Sequence, residues 1–157
     1  MTPPLGTLAP DFELPLAPGE APLRLSDYRG QRSVVLLFFP LAFSGTCTRE
    51  LRGLRDNFEA WESAGVSLLG ISVDSPYANQ FFAEECRLPF PILSDFNRDA
   101  VDSYGVRNDD FMGLRGVAHR SVFVVDREGV LRYSWMSEDA DVLPDFAEVK
   151  ALVDTLA

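Results

Sequence analysis

An α/β fold built around a central mixed sheet is what this sequence predicts, and three observations carry that prediction. Two unbroken runs of branched and aromatic residues, "SVVLLFF" (Ser33 to Phe39) and "VSLLGISVD" (Val66 to Asp74), have the composition of strands buried on both faces. Each is followed by a segment with helical signals: apolar residues every three or four positions after the first, a helix-start pair after the second. Finally, "SVFVVD" and "VLRYSW" flank Arg127-Glu128-Gly129 and read as a β-hairpin with a glycine-containing turn. Strand–helix units followed by a hairpin assemble into a mixed sheet covered by helices.

The elements follow in order. "APDFEL" (Ala9 to Leu14) alternates like a short strand, and "LRLSDYRG" (Leu23 to Gly30) reads as a second strand ending in a turn. Pro40 ends the first central strand. The first helix places Cys47, Leu51, Leu54, Phe58 and Trp61 on one stripe, with Arg49, Arg52, Arg55 and Glu59 between them. Gly65 separates it from the second central strand. Ser75 as N-cap and Pro76 at the first helical position open a second helix that runs to about Arg87. "FPILSD" (Phe90 to Asp95) is a short strand, Ala100 to Tyr104 a short helix, and Gly105 to Gly116 a long loop. After the hairpin, Asp145 to Leu156 forms a closing amphipathic helix. Strand, helix, strand, helix, hairpin, helix is the order of the thioredoxin fold. Here it carries an N-terminal strand extension and an inserted segment before the hairpin. With no internal repeat, residues 1–157 are expected to form a single domain.

Composition narrows the function. A hydrophobic content of 46% and an aromatic content of 11% fit a globular chain and exclude disorder. The net charge of −10 disfavours nucleic acid and anionic membrane as partners, since both are recognised through clustered Lys and Arg. The start of the chain shows no basic segment followed by a long apolar one, the pattern of a secretion signal. Its longest apolar run, Val34 to Phe43, is about half of what spanning a bilayer requires. Two cysteines with no export signal point to a reducing cytoplasm, where a cysteine is catalytic or inert rather than part of a structural disulfide. Cys47, Cys86 and the lone His119 are too few and too scattered for a metal site, and no cofactor is expected. His119 reads as a polar residue at a strand entry.

"FFPLAFSGTC" (Phe38 to Cys47) delivers one of the two cysteines to the first turn of a helix. Unpaired N–H groups and the helix dipole stabilise an anion there, and the thiolate is the reactive form of cysteine. An apolar approach excludes water and strengthens those interactions. The alternative is a small buried hydrophobe with no chemistry.

Pro40, Ser44 and Cys47 stand as P-x-x-x-S-x-x-C, which resembles the peroxiredoxin motif P-x-x-x-[TS]-x-x-C. The resemblance extends over nearly the whole chain, through "APDFEL", "GISVDSP", "FPILSD", "YGV" and "RSVFVVDREGVLR". "FFPLAFSGTC" looks most like the alkyl hydroperoxide reductase E type, with the bacterioferritin comigratory protein group as nearest neighbour. The resemblance implies a thiol-dependent peroxidase that reduces hydrogen peroxide and organic hydroperoxides. Cys47 would be the peroxidatic cysteine, forming a sulfenic acid. Ser44 would touch the thiolate and the peroxide oxygens with its hydroxyl, and Pro40 would shield the pocket from water. Arg120 would hold Cys47 ionised and orient the peroxide. Glu50 either braces Arg120 or is an ordinary first-turn carboxylate. Ser in place of the commoner Thr at position 44 keeps the hydroxyl but loses the methyl that fixes its rotamer.

The resemblance leaves regeneration open. Arg52 occupies the position where some comigratory-type members carry a resolving cysteine. Cys86 lies three residues beyond Ala83, where the thiol peroxidase subfamily places its own. Cys86 is therefore a candidate resolving cysteine, or a core residue four positions from Phe82, in which case an external thiol reduces the sulfenate directly. The implied partners are a hydroperoxide, a thioredoxin-, glutaredoxin- or mycoredoxin-type reductant, and a second copy in a homodimer. A dithiol oxidoreductase would need C-x-x-C, and Ser44-Gly45-Thr46-Cys47 supplies only its second cysteine. A peroxide sensor or chaperone-like protein would use the same cysteine oxidation.

Overall fold

In the computed structural model, which describes residues 1–156, the N-terminal alternation yields much shorter strands than the sequence predicts. Strand β1 (Glu13–Leu14) pairs antiparallel with β2 (Leu23–Arg24), and Leu25–Tyr28 then winds into a 3-10 turn. Two aspartates account for the difference. The Asp11 carboxylate accepts the N–H groups of Phe12 and Ser26, and Asp27 accepts that of Arg24. Side-chain oxygens thus take donors that a longer ladder would use.

The middle of the chain carries the layers that build the site. Strand β3 (Ser33–Phe38) is buried at every residue. Helices α1 (Gly45–Asp56) and α2 (Phe58–Ser63) follow, then β4 (Val66–Ser72), α3 (Pro76–Glu85) and β5 (Ile92–Ser94). The predicted single helix from Cys47 to Trp61 is thus broken at Asn57. The Asn57 side-chain amide donates to the carbonyl of Gly53, the acceptor its own N–H would take in a continuous helix, and that N–H turns to Leu54. Helix α3 begins as predicted, with the Ser75 hydroxyl accepting the N–H of Ala78 and Pro76 in the first turn. It ends at Glu85, two residues before the predicted end. Arg87 there adopts a left-handed φ of 52°, and the N–H groups of Arg87 and Leu88 bond the carbonyls of Glu84 and Ala83. This is a Schellman cap with arginine where glycine is usual.

Helix α4 (Asp99–Ser103) precedes the segment predicted as loop, part of which forms β6 (Arg107–Asn108) paired with β7 (Val117–Ala118). The predicted hairpin is β8 (Ser121–Val125) and β9 (Leu131–Met136), with Gly129 at φ 85° in its turn. Helix α5 (Phe146–Thr155) closes the chain, N-capped by Asp145. The central sheet has the order β5-β4-β3-β8-β9, parallel across β5, β4 and β3 and antiparallel at β3–β8 and β8–β9. With helices against it, this is the expected thioredoxin-like architecture. No helix among the described residues is long and apolar enough to cross a membrane.

Two apolar clusters line the two faces of the sheet. Along β3, Val34, Leu36 and Phe38 face one, and Val35, Leu37 and the following Phe39 face the other, as the two-residue period of a strand dictates. The second cluster gathers Cys47 and Leu51 of α1, Phe82 of α3 and Val149 of α5, so the cysteine lies within a core layer.

Candidate active site

Strand β3 ends at Phe38, and the antiparallel register sets Ser121 of β8 opposite it. The chain entering α1 and the residue preceding β8 therefore meet at one end of the sheet. Cys47 is the third residue of α1, after the N-cap Ser44, and Arg120 immediately precedes β8.

Arg120 is the hub of the site. Its Nη2 donates to Cys47 Sγ at 3.1 Å, its Nη1 to Glu50 Oε1 at 2.6 Å, and its Nε to the carbonyl of Ala140 at 2.9 Å. Cys47 and Glu50 lie one helical turn apart on the same face of α1, which lets one planar guanidinium reach both. Cys47 is fully buried, and the Arg120 and Glu50 side chains are 1% and 0% exposed. An isolated buried cation would be strongly destabilising; here it is held by a carboxylate and two further acceptors. Glu50 thus braces Arg120.

The electrostatics of the pair are lopsided. Burial pushes the Glu50 carboxyl up to about 7, against the opposing pull of the Arg120 charge and hydrogen bond. Its second oxygen, Oε2, is buried without a hydrogen-bond partner. Burial pushes the Arg120 guanidinium down, but Glu50 and Cys47 together outweigh that, and the net direction is up.

The loop before α1 has an unusual backbone. Phe43 adopts a left-handed φ of 69°, which costs a side-chain-bearing residue on the order of 1 kcal/mol. Its ring rests on Phe82 and Phe81 of α3, with centroids 5.0 and 5.8 Å away. Pro40 is buried two residues after the end of β3, beyond Phe39, whose N–H still bonds Ile71, and it ends the ladder as expected. The Ser44 hydroxyl does not touch sulfur: it donates to the carbonyl of Leu41 at 3.2 Å. That local bond spans three residues and closes the loop on itself, a habit of serine at helix starts.

Cys86 caps the C-terminal end of α3 and is buried in the same apolar cluster as Cys47, and both thiols are free. Its carbonyl accepts Arg55 Nη1 at 2.7 Å. Arg55 lies about 12 Å beyond Cys47 along α1, so the main chain at Cys86 is tied toward the far end of that helix. His119 is half-buried just before Arg120, and its N–H donates to Val106.

Sequence reasoning missed two supports. The Ala140 carbonyl that anchors Arg120 is a main-chain group and has no side-chain signature. Thr46 donates to Asp141 at 3.0 Å, tying the same segment across the start of α1. An aspartate after β9 facing a helix-start threonine is a signal only once the fold is known.

Comparison with known proteins places the chain in a family. The AhpC/TSA family pattern matches residues 5–134. Alkyl hydroperoxide reductase E of Mycobacterium tuberculosis is 39% identical over 140 residues, covering 88% of each chain. Peroxiredoxin Bcp of Escherichia coli is 40% identical over 131 residues, covering 82% of each. The crystal structure of peroxidoxin BcpB from Mycobacterium tuberculosis superposes with a TM-score of 0.82 at 30% identity over 96% of both chains. A buried cysteine at a helix start, an arginine on its sulfur and this breadth of similarity lead to one conclusion: the chain belongs to the AhpC/TSA family and is a peroxiredoxin, a thiol-dependent peroxidase.

Proposed function

We propose that Cys47 is the peroxidatic cysteine of this enzyme and that Arg120 is its catalytic cation. The observation that carries this reading is the 3.1 Å contact between the Arg120 guanidinium and Cys47 Sγ in a site closed to solvent. The thiolate sulfur attacks one oxygen of the hydroperoxide. As the O–O bond breaks, the sulfur keeps one oxygen and the other leaves as water or alcohol with the peroxide's proton; the sulfenate takes back the proton that the thiol lost on ionising and becomes the sulfenic acid. Sulfur is oxidised and the peroxide reduced. Negative charge grows on the leaving oxygen, and a fixed cation already facing the sulfur stabilises it without reorganising. Ser44 takes part by rotating its hydroxyl from Leu41 toward the reacting oxygens, a turn about one side-chain bond. Pro40 keeps water from the pocket. Hydrogen peroxide and organic hydroperoxides are the substrates; the name of the mycobacterial relative supports the organic class.

Regeneration needs a thiol. If Cys86 resolves the sulfenate, the resulting internal disulfide requires Cα atoms within about 7 Å, so the capped end of α3, the start of α1, or both unwind first. The competing route is direct attack by an external thiol. On either route a thioredoxin-, glutaredoxin- or mycoredoxin-type protein is the final reductant. The chain works as one domain, residues 1–157, in a cytoplasmic homodimer. Mass spectrometry after peroxide treatment with a sulfenic-acid trap tests the assignment: the adduct is expected on Cys47. Cys47→Ser abolishes both the adduct and peroxide consumption. A variant that keeps more than a small fraction of the rate refutes the proposal.

A further inference from the structure

The loop between β3 and α1 is held from outside by one carboxylate. The Ala42 N–H donates to Asp74 Oδ2 at 2.8 Å, and the same oxygen accepts the Ser72 hydroxyl at 2.7 Å. Asp74 is itself fixed. Its carbonyl accepts the Ser94 hydroxyl at 2.6 Å and the Asn79 amide at 3.4 Å, and that amide also bonds the Leu93 carbonyl. Ser72, Asn79 and Ser94 are buried, so Asp74 is anchored where the carboxyl ends of β4 and β5 meet the first turn of α3. From there it reaches the main chain 32 residues away, one residue before the left-handed Phe43 and two before Ser44.

A strained backbone persists only where its surroundings over-determine it. Three attachments do so here: the Phe43 ring on Phe81 and Phe82, the Ser44 hydroxyl on the Leu41 carbonyl, and the Ala42 N–H on Asp74. The Phe43 ring is half-exposed even though Phe82 beneath it is buried, and its contacts are weakly directional, whereas the hydrogen bond to a carboxylate is short and directional. We infer that Asp74 is a positioning residue for the peroxide step, acting through Ala42 on the backbone that sets Ser44 and Cys47 against Arg120. This rests on the assignment of Cys47 as the peroxidatic cysteine. Without the carboxylate, Phe43 relaxes toward an ordinary φ, and the N-cap and the first turn of α1 shift with it. Small displacements of reacting groups reduce rate steeply.

The test uses the full chain with Asp74→Ala and Asp74→Asn. Asn keeps a side-chain oxygen able to accept from both Ala42 and Ser72; Ala keeps none. The rate of Cys47 oxidation by hydrogen peroxide is read by rapid quench, alkylation and mass spectrometry. Reduction of the preformed sulfenic acid by a small thiol is measured alongside. Asp74→Ala is expected to slow oxidation roughly tenfold, leaving the reduction step within about twofold, and Asp74→Asn to restore oxidation to within about threefold of wild type. A merely structural role would depress both steps together, and equal slowing of oxidation and reduction in Asp74→Ala overturns the inference. Ser72→Ala removes the hydroxyl that Asp74 Oδ2 and Asn79 Oδ1 share and is expected to slow oxidation about threefold. If Asp74→Ala does not fold, that variant decides. The inference is overturned by an oxidation rate within twofold of wild type in folded Asp74→Ala, by failure of Asn to rescue, or, in the deciding case, by a wild-type rate in Ser72→Ala. Wild-type protein whose Cys47 does not react with peroxide overturns the assignment of Cys47 instead.

Discussion

Replacing Glu50 with Gln removes a buried carboxyl that ionises at about 7 in the folded protein. In the unfolded chain the same group ionises at an ordinary 4.5. Below the lower value both states hold the proton, and above the higher one neither does. Between them only the folded state is protonated, so rising pH favours unfolding. Over that interval Glu50 lowers wild-type stability by about 3 kcal/mol. Glu50→Gln lacks this titration. It also takes the Glu50 carboxylate from Arg120, leaving the guanidinium to Cys47 Sγ and the Ala140 carbonyl, which destabilises the variant. The informative quantity is therefore the change with pH of the difference between the two proteins. Urea midpoints at about pH 5, 6, 7 and 8 measure it. With a slope near 2 kcal/mol per molar urea, the about 2.5 kcal/mol lost between pH 5 and 8 lowers the wild-type midpoint by roughly 1.2 M relative to the variant. A difference that stays constant across the series refutes the reasoning, because Glu50 would then ionise as an ordinary surface carboxylate does.

Arg120→Met is expected to slow the peroxide step about 10²-fold or more, as loss of one charged transition-state donor does; a stopped-flow rate within threefold of wild type removes Arg120 from the chemistry. Ser44→Thr retains the hydroxyl and is expected to stay active, whereas Ser44→Val of similar bulk slows the same step; equal rates for the two show that the hydroxyl never leaves Leu41. For Cys86, non-reducing peptide mapping after one equivalent of peroxide decides between routes. A Cys47–Cys86 disulfide marks Cys86 as resolving, and a persistent sulfenic acid with Cys86 free marks it as core. On the first route Cys86→Ser reacts with its first peroxide at full speed and then overoxidises or stalls.

Much of the sheet was legible because its strands are locally consistent. "SVVLLFF" and "VSLLGISVD" hold branched and aromatic residues with nothing to compete, and the hairpin announces its own turn. Where side chains compete for the backbone, local reading failed. Asp11 and Asp27 cut short β1 and β2, and Asn57 broke a helix whose apolar period runs on to Trp61. In the site, Cys47 was visible from its place at a helix start. Arg120 was not: 73 residues separate it from that sulfur, and in isolation it reads as a charge beside a strand. Only resemblance to a family joined the two. Asp74 sat in plain view within "GISVDSP", but a single carboxylate at the end of a strand does not say which loop it holds.

The anchoring of Arg120 also bears on when the enzyme becomes reactive. Its guanidinium bonds α1 across 70 and 73 residues and Ala140 across another 20, so the site closes only after the hairpin and the segment beyond it have docked. Contacts this distant in sequence form late, since loop-closure entropy opposes them until the intervening chain is ordered. A chain emerging from the ribosome carries Cys47 long before Ala140 is made, and during that interval its thiol has no cation beside it. On the role proposed for Arg120, fast reaction with peroxide thus arrives only with completed tertiary structure. The sulfur that the finished enzyme buries beside its cation is the last part of the site to be completed.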